Sequence, residues 1–374
     1  MNRRLWLTSA AWGLMAMRPA SAADPVRIAA AWKNGAQHQV GVLRQADGEL
    51  NIESALDLPS RPHAVRVGAG AGGVIFAAGR RPGEWLLRWP QDGAAARWQW
   101  SEPDRCFNGH MLPSHDGRRL FTTETDLATG QGLIGVRDAV SLEKIAEWPC
   151  HGPDAHDLVL EGSASLLVAN GGVPSQQETG RLKLRLADMD ASLVRLDAGD
   201  GTLRGQWRLA DKRLSLRHLA WGAPDAKGGR TLGIALQAEH SDAAARLDAP
   251  LLAIFDGDSL RLANTPADTA LAGYGGDIAC IQGFFVVSCP RADALALWRT
   301  DGRWHGQVKQ AQASALTTAK DAQGNTFLWA AGQSAAAWRP SATETVHLAM
   351  RTPLHFDNHW AWLAPGGNAP FNPV

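Results

Sequence analysis

The residues with most chemical potential are histidines that recur in one local setting. Arg61-Pro62-His63-Ala64-Val65, Asn108-Gly109-His110-Met111-Leu112 and Asp154-Ala155-His156-Asp157-Leu158 are three copies. Leu216-Arg217-His218-Leu219-Ala220 and Asp357-Asn358-His359-Trp360-Ala361 are two more. Each places an imidazole between turn residues and a short β stretch. Gly275-Gly276-Asp277-Ile278-Ala279 puts a carboxylate at the equivalent point, and Ala313-Ser314-Ala315-Leu316 is a faint copy. Neutral imidazoles with a carboxylate suit copper, iron, zinc or nickel. The competing reading is structural: a histidine at the start of a strand bonds a neighbouring copy's backbone and only fixes the assembly.

Side chains so far apart in sequence meet only if the fold carries equivalent positions to a common axis. The seven positions are separated by 47, 46, 62, 59, 37 and 45 residues. An interval of about 45 residues with four strands is that of a β-propeller blade, whose innermost strand lines a central channel. Between His63 and His110 the strands are predicted at 63–67, 74–78, 85–89 and 97–100. Gly68–Gly73 and Pro90–Gly93 supply the turns. The next repeat predicts strands at 120–123, 133–138 and 144–148. The two long intervals hold polar insertions, 173–189 and 239–249, expected as loops projecting from one face. The seventh copy begins at His359 with few residues left, so strands at 26–32, 39–44 and 49–56 are expected to complete its sheet. The fold class is therefore all-β: a seven-bladed β-propeller closed by joining N-terminal strands with a C-terminal strand, which removes an open sheet edge.

Composition agrees. Of 374 residues, 45% are hydrophobic and 20% charged, a globular balance, and 39 Gly with 20 Pro suit a turn-rich chain. The N-terminus has a basic start, an apolar run to Met17 and a small-residue end at Ala20-Ser21-Ala22, the pattern of a cleavable export signal. Asn2-Arg3-Arg4-Leu5-Trp6-Leu7 resembles the twin-arginine pattern, with Asn2 in place of the usual Ser or Thr. Residues 1–22 are read as the signal, and 23–374 as one propeller domain exported to the periplasm. Removing the leader takes away Arg3, Arg4 and Arg18, leaving 34 basic against 37 acidic residues. That balance lacks the basic excess of a nucleic-acid binder. The apolar run is too short to span a bilayer, so no membrane span is expected.

These residues resemble the exported bacterial propellers of the domain of unknown function 1513 family. The match is densest at 108–110 through 116–118, 120–126, 130–138, 168–173, 178–181, 192–194, 215–220 and 357–359. The resemblance implies a twin-arginine leader, a seven-bladed propeller and a setting of periplasmic iron or other metal handling. It supplies no catalytic residues. Cys106-Phe107-Asn108-Gly109 and Asp154-Ala155-His156-Asp157 depart from the family's more usual aromatic-Gly-His and Gly-Pro-His-Glu.

Other side chains complete the candidates. Cys106 and Cys150 precede His110 and His156 and are expected on one face of the ring, as a disulfide or as additions to a Cys/His metal site. Cys280 and Cys289 flank a turn at Gln282-Gly283; pairing Cys280 with Phe285 leaves them as small buried residues. Glu124 with Asp126, and Asp188 with Asp190, are i, i+2 carboxylates that bind a cation or, in the plainer reading, sit solvated. Arg181, Lys183 and Arg185 in the first insertion either meet an anion or partner, or are solvated charges. Trp85, Trp89, Trp98, Trp100, Trp298 and Trp338 are expected to pack between blades. There is no Gly-x-Ser-x-Gly, Walker A, Cys-x-x-Cys-His or His-Glu-x-x-His motif.

The reading is a periplasmic propeller that binds a transition metal (copper or iron ahead of zinc), or a metal-containing partner, in a funnel lined by His63, His110, His156, His218, Asp277 and His359. It serves metal acquisition or handling, beside a periplasmic metal-handling protein. Alternatives are a non-catalytic interaction scaffold with structural histidines, and a metal-dependent oxidoreductase or hydrolase.

Overall fold

The computed structural model describes residues 25–365, apart from 47, 71, 175–182, 184, 226, 321–323, 333–334, 339–344 and 351–353. The expected leader and Arg181 lie outside the described residues.

Four short antiparallel strands, the inner ones largely buried and the outermost half-exposed, are linked by Gly- and Asp-bearing turns and repeated along the chain. Six four-stranded sheets result, beginning at strands Pro62–Gly68, Arg105–Pro113, Ala155–Glu161, Leu214–Trp221, Ile278–Ile281 and Ala315–Lys320. The first sheet follows the sequence expectation closely: Pro62–Gly68, Val74–Gly79, Trp85–Pro90 and Arg97–Trp100. In the second, Arg119–Asp126, Gln131–Asp138 and Lys144–Pro153 outrun their expected bounds. The molecule is an all-β propeller.

The expectation of a seven-bladed propeller is corrected. Among the described residues there are six four-stranded blades, and the ring is closed by a six-stranded sheet of another make. Arg27–Asn34, Gln37–Ala46 and Glu49–Leu58 form its antiparallel body. Two C-terminal strands, His355–Phe356 and Ala361–Leu363, pair with Arg27–Asn34 on the inner side. Ala349–Met350 pairs in parallel with Glu49–Leu58 on the outer side. The anticipated joining of chain ends is present, but the C-terminal segment contributes to both edges.

Apolar clusters fill every boundary between neighbouring sheets. One joins Ala29, Ala31 and Val40 of the closing sheet to Val65, Ile75 and Trp85 of the first blade. Another joins Phe327's neighbours Trp329 and Ala331 to Ile28, Trp32 and Trp360, so the ring shuts on a packed interface rather than an exposed edge. Trp85 and Trp298 are buried as expected, with Trp85 Nε1 donating to Ser60 Oγ, while Trp100 is exposed.

Candidate functional site

Each ring position falls at, or just before, the innermost strand of a sheet. The reason the side chains reach the axis is local. The ladder between inner strand and its neighbour is interrupted between Pro62 and Val65, Phe107 and Met111, Ala155 and Asp157, and Leu216 and Leu219. These are the segments that carry His63, His110, His156 and His218. A bulge bends the strand and re-aims a side chain. Gly109, at φ +102°, completes the second bulge; a Cβ there would lie 2.6 Å from His63 Cβ, so the close approach of neighbouring blades requires glycine. His359 holds φ +65°, a conformation rare outside glycine and frequent at functional sites.

The result is a compact knot of five buried imidazoles. Ring centroids of His63 and His110 are 4.7 Å apart, of His110 and His156 4.8 Å, of His156 and His218 4.8 Å, and of His218 and His359 4.4 Å. One ligand atom from each of His63, His110, His156 and His218 can be chosen so that all four lie within 4.8 Å of one another; His218, Asp277 and His359 form a second such group. Four nitrogens held about 2.0–2.1 Å from one ion stand roughly 3.3 Å apart in a tetrahedron, so the first set must draw together to enclose one.

Carboxylates orient two of the rings. His359 Nδ1 lies 3.1 Å from Asp277 Oδ1, and His110 Nδ1 lies 3.1 Å from Asp157 Oδ1, the latter off the line of a good hydrogen bond. Each carboxylate is itself fixed: Asp277 accepts from the N–H groups of Ile278 and Leu316, and Asp157 from those of Leu158 and Leu219. Both thus bridge adjacent inner strands. A carboxylate beside Nδ1 favours the proton there and leaves the Nε2 lone pair for another partner. His110 Nε2 and His359 Nε2, both buried, have no hydrogen-bond partner. His156 differs. Its Nδ1 is 3.2 Å from Arg217 Nη1, which can only donate, and its Nε2 is 3.0 Å from His218 Nε2. In that arrangement His156 donates from Nε2 to His218, so its entry into a metal shell requires displacement of Arg217.

Burial is the largest influence on the imidazoles and favours their neutral form. Reinforced by neighbouring rings, and by Arg217 at His156, it holds His63, His156 and His218 well below the ordinary histidine range. Burial likewise lowers His110 to about 4, against the opposing pull of Asp157. Asp157 titrates well below the usual carboxylate range; its burial opposes this but is outweighed by His110 and Arg66. His63, His110, His156 and His218 are therefore neutral imidazoles at pH 7, the protonation state that ligates metals.

The knot plugs the channel. At the start of the inner strands lies a cavity of about 640 Å³ onto which His63, His156 and His218 open; at their far ends a second, of about 350 Å³, reaches Asp157, Asp277 and His359.

All five histidines and Asp277 converge, whereas Ser314 adds no ligand chemistry to these groups. Sequence reasoning missed Asp157 and Arg217, although each is the chain neighbour of a ring histidine. Other expectations are corrected. Cys106 and Cys150 are free and form no disulfide. They occupy opposite edges of one four-stranded sheet, in a row through Thr125 and Gly132, about 14 Å apart at three strand spacings. Neither belongs to the groups of ligand atoms at the axis. Cys280 does pair with Phe285. Glu124 is neither solvated nor paired with Asp126: it is buried, with Arg137 Nη2 and Lys144 Nζ each 2.8 Å away. Asp126 instead caps a turn through the N–H groups of Ala128 and Thr129. Asp190 pairs with Arg208 and Asp188 with Arg185. Lys183 contacts Glu239. Within the second insertion, Ala243–Leu247 is a short helix capped by Asp242.

Fold and site together define a β-propeller whose buried histidine cluster could hold a metal ion. The family model described as "Protein of unknown function (DUF1513)" matches residues 56–363, and the chain belongs to that family. No curated protein matches in sequence. Among solved structures, hydrazine synthase of Kuenenia stuttgartiensis is similar at 11% identity and a TM-score of 0.56, over 85% of this chain and 94% of that one. A nidogen/laminin complex (8% identity, TM-score 0.47, 76% of this chain and 93% of that one) also matches. So does the Cps50 (Swd1) β-propeller domain of Myceliophteria thermophila (11%, 0.48, 70% and 80%). At such identities the likeness concerns the fold alone. Among the described residues no helix is long and apolar enough to cross a membrane.

Proposed function

We propose that the chain is a periplasmic propeller that binds a transition metal at the histidine knot. The observation that carries this reading is the pair of buried, unpartnered Nε2 atoms of His110 and His359, each on a ring whose other nitrogen faces an anchored carboxylate. A ring that only fixed the fold would spend its nitrogens on backbone partners, because an unsatisfied buried polar atom costs about 1–3 kcal/mol. His63, His110, His156 and His218 supply the first set of ligands, with His359 and Asp277 beside it. An all-nitrogen set of neutral imidazoles suits copper, iron or zinc rather than the hard oxygen-seeking ions, and copper binds such a set most tightly. The twin-arginine-like start of the chain supports export as a folded protein, and hence metal acquisition or handling in the periplasm beside a metal-handling protein. Turnover is not part of this reading.

The test is titration of metal-free protein with Cu(II), Fe(II) and Zn(II) by calorimetry, alongside His110→Ala and His359→Ala with their folds checked by circular dichroism. One tightly bound ion per chain, lost in folded His110→Ala, is the expected result. Folded wild-type protein that takes up none of the three would refute the reading and leave the scaffold role ahead.

A further inference from the structure

The larger cavity has a wall of one sign. Arg61, Arg80, Arg81, Lys183, Arg217 and Arg291 all line it, and no Asp or Glu is among its described lining residues. The carboxylates that pair with these cations stand behind the wall: Asp357 with Arg61, Asp154 with Arg81 and Arg217, and Glu239 with Lys183 and Arg217. Arg291 takes no part in those pairs and lies over the Tyr274 ring, 4.2 Å from its centroid. Asp154 is fully buried at φ +60°, a left-handed conformation retained while it holds two guanidinium groups in place. Arg61, Arg81, Lys183 and Arg217 are thus braced from behind the wall that they line. Asn108, Gln237, Gln312 and Asn358 add neutral polar groups to the same wall. The floor is the open side of His63, His156 and His218.

Braced guanidinium groups in a concave site, without a competing carboxylate on the surface, recognise carboxylate or phosphate oxygens through paired N–H donors. A volume of about 640 Å³ admits a small organic anion with its hydration. We infer that this cavity binds a small multivalent oxyanion of the polycarboxylate or phosphate class, seated between Arg61, Arg81, Arg217 and Arg291 and resting on the histidine knot. The site stands on the cavity's own charges and requires no metal.

Its test therefore uses metal-free protein, with chelator present throughout. Calorimetric titrations with citrate and with inorganic phosphate are run at fixed ionic strength, against chloride as the non-specific control. Saturable one-to-one binding of either probe, weakened at least tenfold in Arg291→Gln, is the expected result. Citrate binding without phosphate binding assigns the site to polycarboxylates, and the converse to phosphates. Arg291→Gln leaves the axial histidines and the Asp154 pairs intact, and a thermal melt matching wild type confirms its fold. Failure of both probes to bind beyond the chloride control at millimolar concentration overturns the inference, as does binding unchanged in folded Arg291→Gln. Neither failure bears on metal uptake by the histidines.

Discussion

At the scale of single residues, the site depends on which nitrogen of each imidazole is engaged. Asp157 and Asp277 do not need to touch a metal to matter, because they set the tautomer and rotation of His110 and His359. Replacing Asp157 by Asn is expected to weaken metal affinity about 10–100-fold while the protein still folds, read by competition with a chelator of known strength. The same change removes an influence that raises the pKa of His110, so protons compete less, not more; a fall in affinity despite this isolates the positioning role. The pH dependence follows with a definite sign. In the unfolded chain the histidines gain protons below about 6.5, whereas in the folded protein His63, His110, His156 and His218 are all lowered. Metal-free protein therefore carries a stabilising contribution above about pH 6.5 that is lost as pH falls toward 4. Urea midpoints between pH 7 and pH 5 should decline accordingly. The histidines and Asp277 were legible because they recur in register. Asp157 and Arg217 were not, because nothing in a sequence shows that a carboxylate on one inner strand will reach a ring on another.

At the scale of elements, the inner strands do two jobs, closing the ring and bending to present the histidines. The bulge at Asn108–His110 is the sharpest case, with Gly109 in a backbone region that favours glycine and pressed against His63. Gly109→Ala is expected to destabilise the fold by about 1–3 kcal/mol and to displace His63, so chemical unfolding and metal titration should shift together. Strands were readable from their apolar alternation and turn residues, to within a few positions. Their buried ionic partners were less so. Glu124, on Arg119–Asp126, looks like any acidic residue near a strand end, yet it faces Arg137 and Lys144 across two strands. Glu124→Gln leaves Arg137 buried without its nearest carboxylate, and a loss of about 3–5 kcal/mol is expected in urea unfolding. A stability unchanged within error would show that Glu102, 3.4 Å from Arg137, replaces it.

At the scale of the whole molecule, repeat spacing conveyed the propeller and the joining of chain ends, because one register error would have scattered the histidines. The make of the closing sheet was hidden, since two- and three-residue strands such as Ala349–Met350 and Ala361–Leu363 leave no periodicity to read. That sheet is also where the ring is most exposed to challenge. Ending the chain after Leu348 removes His359 and three strands, opening the edges of Arg27–Asn34 and Glu49–Leu58. The truncated protein is expected to lose its cooperative thermal transition and to self-associate, as light scattering during a melt would report. The fold carries five imidazoles from distant sequence positions into one knot, and the proposed function requires that knot to hold a metal. The direct measurement is elemental mass spectrometry of untagged, purified protein. Close to one copper or iron per chain is expected, falling in His110→Ala and His359→Ala variants that remain folded; folded wild-type protein that is metal-free and refuses copper, iron and zinc on reconstitution would sink the metal-binding proposal.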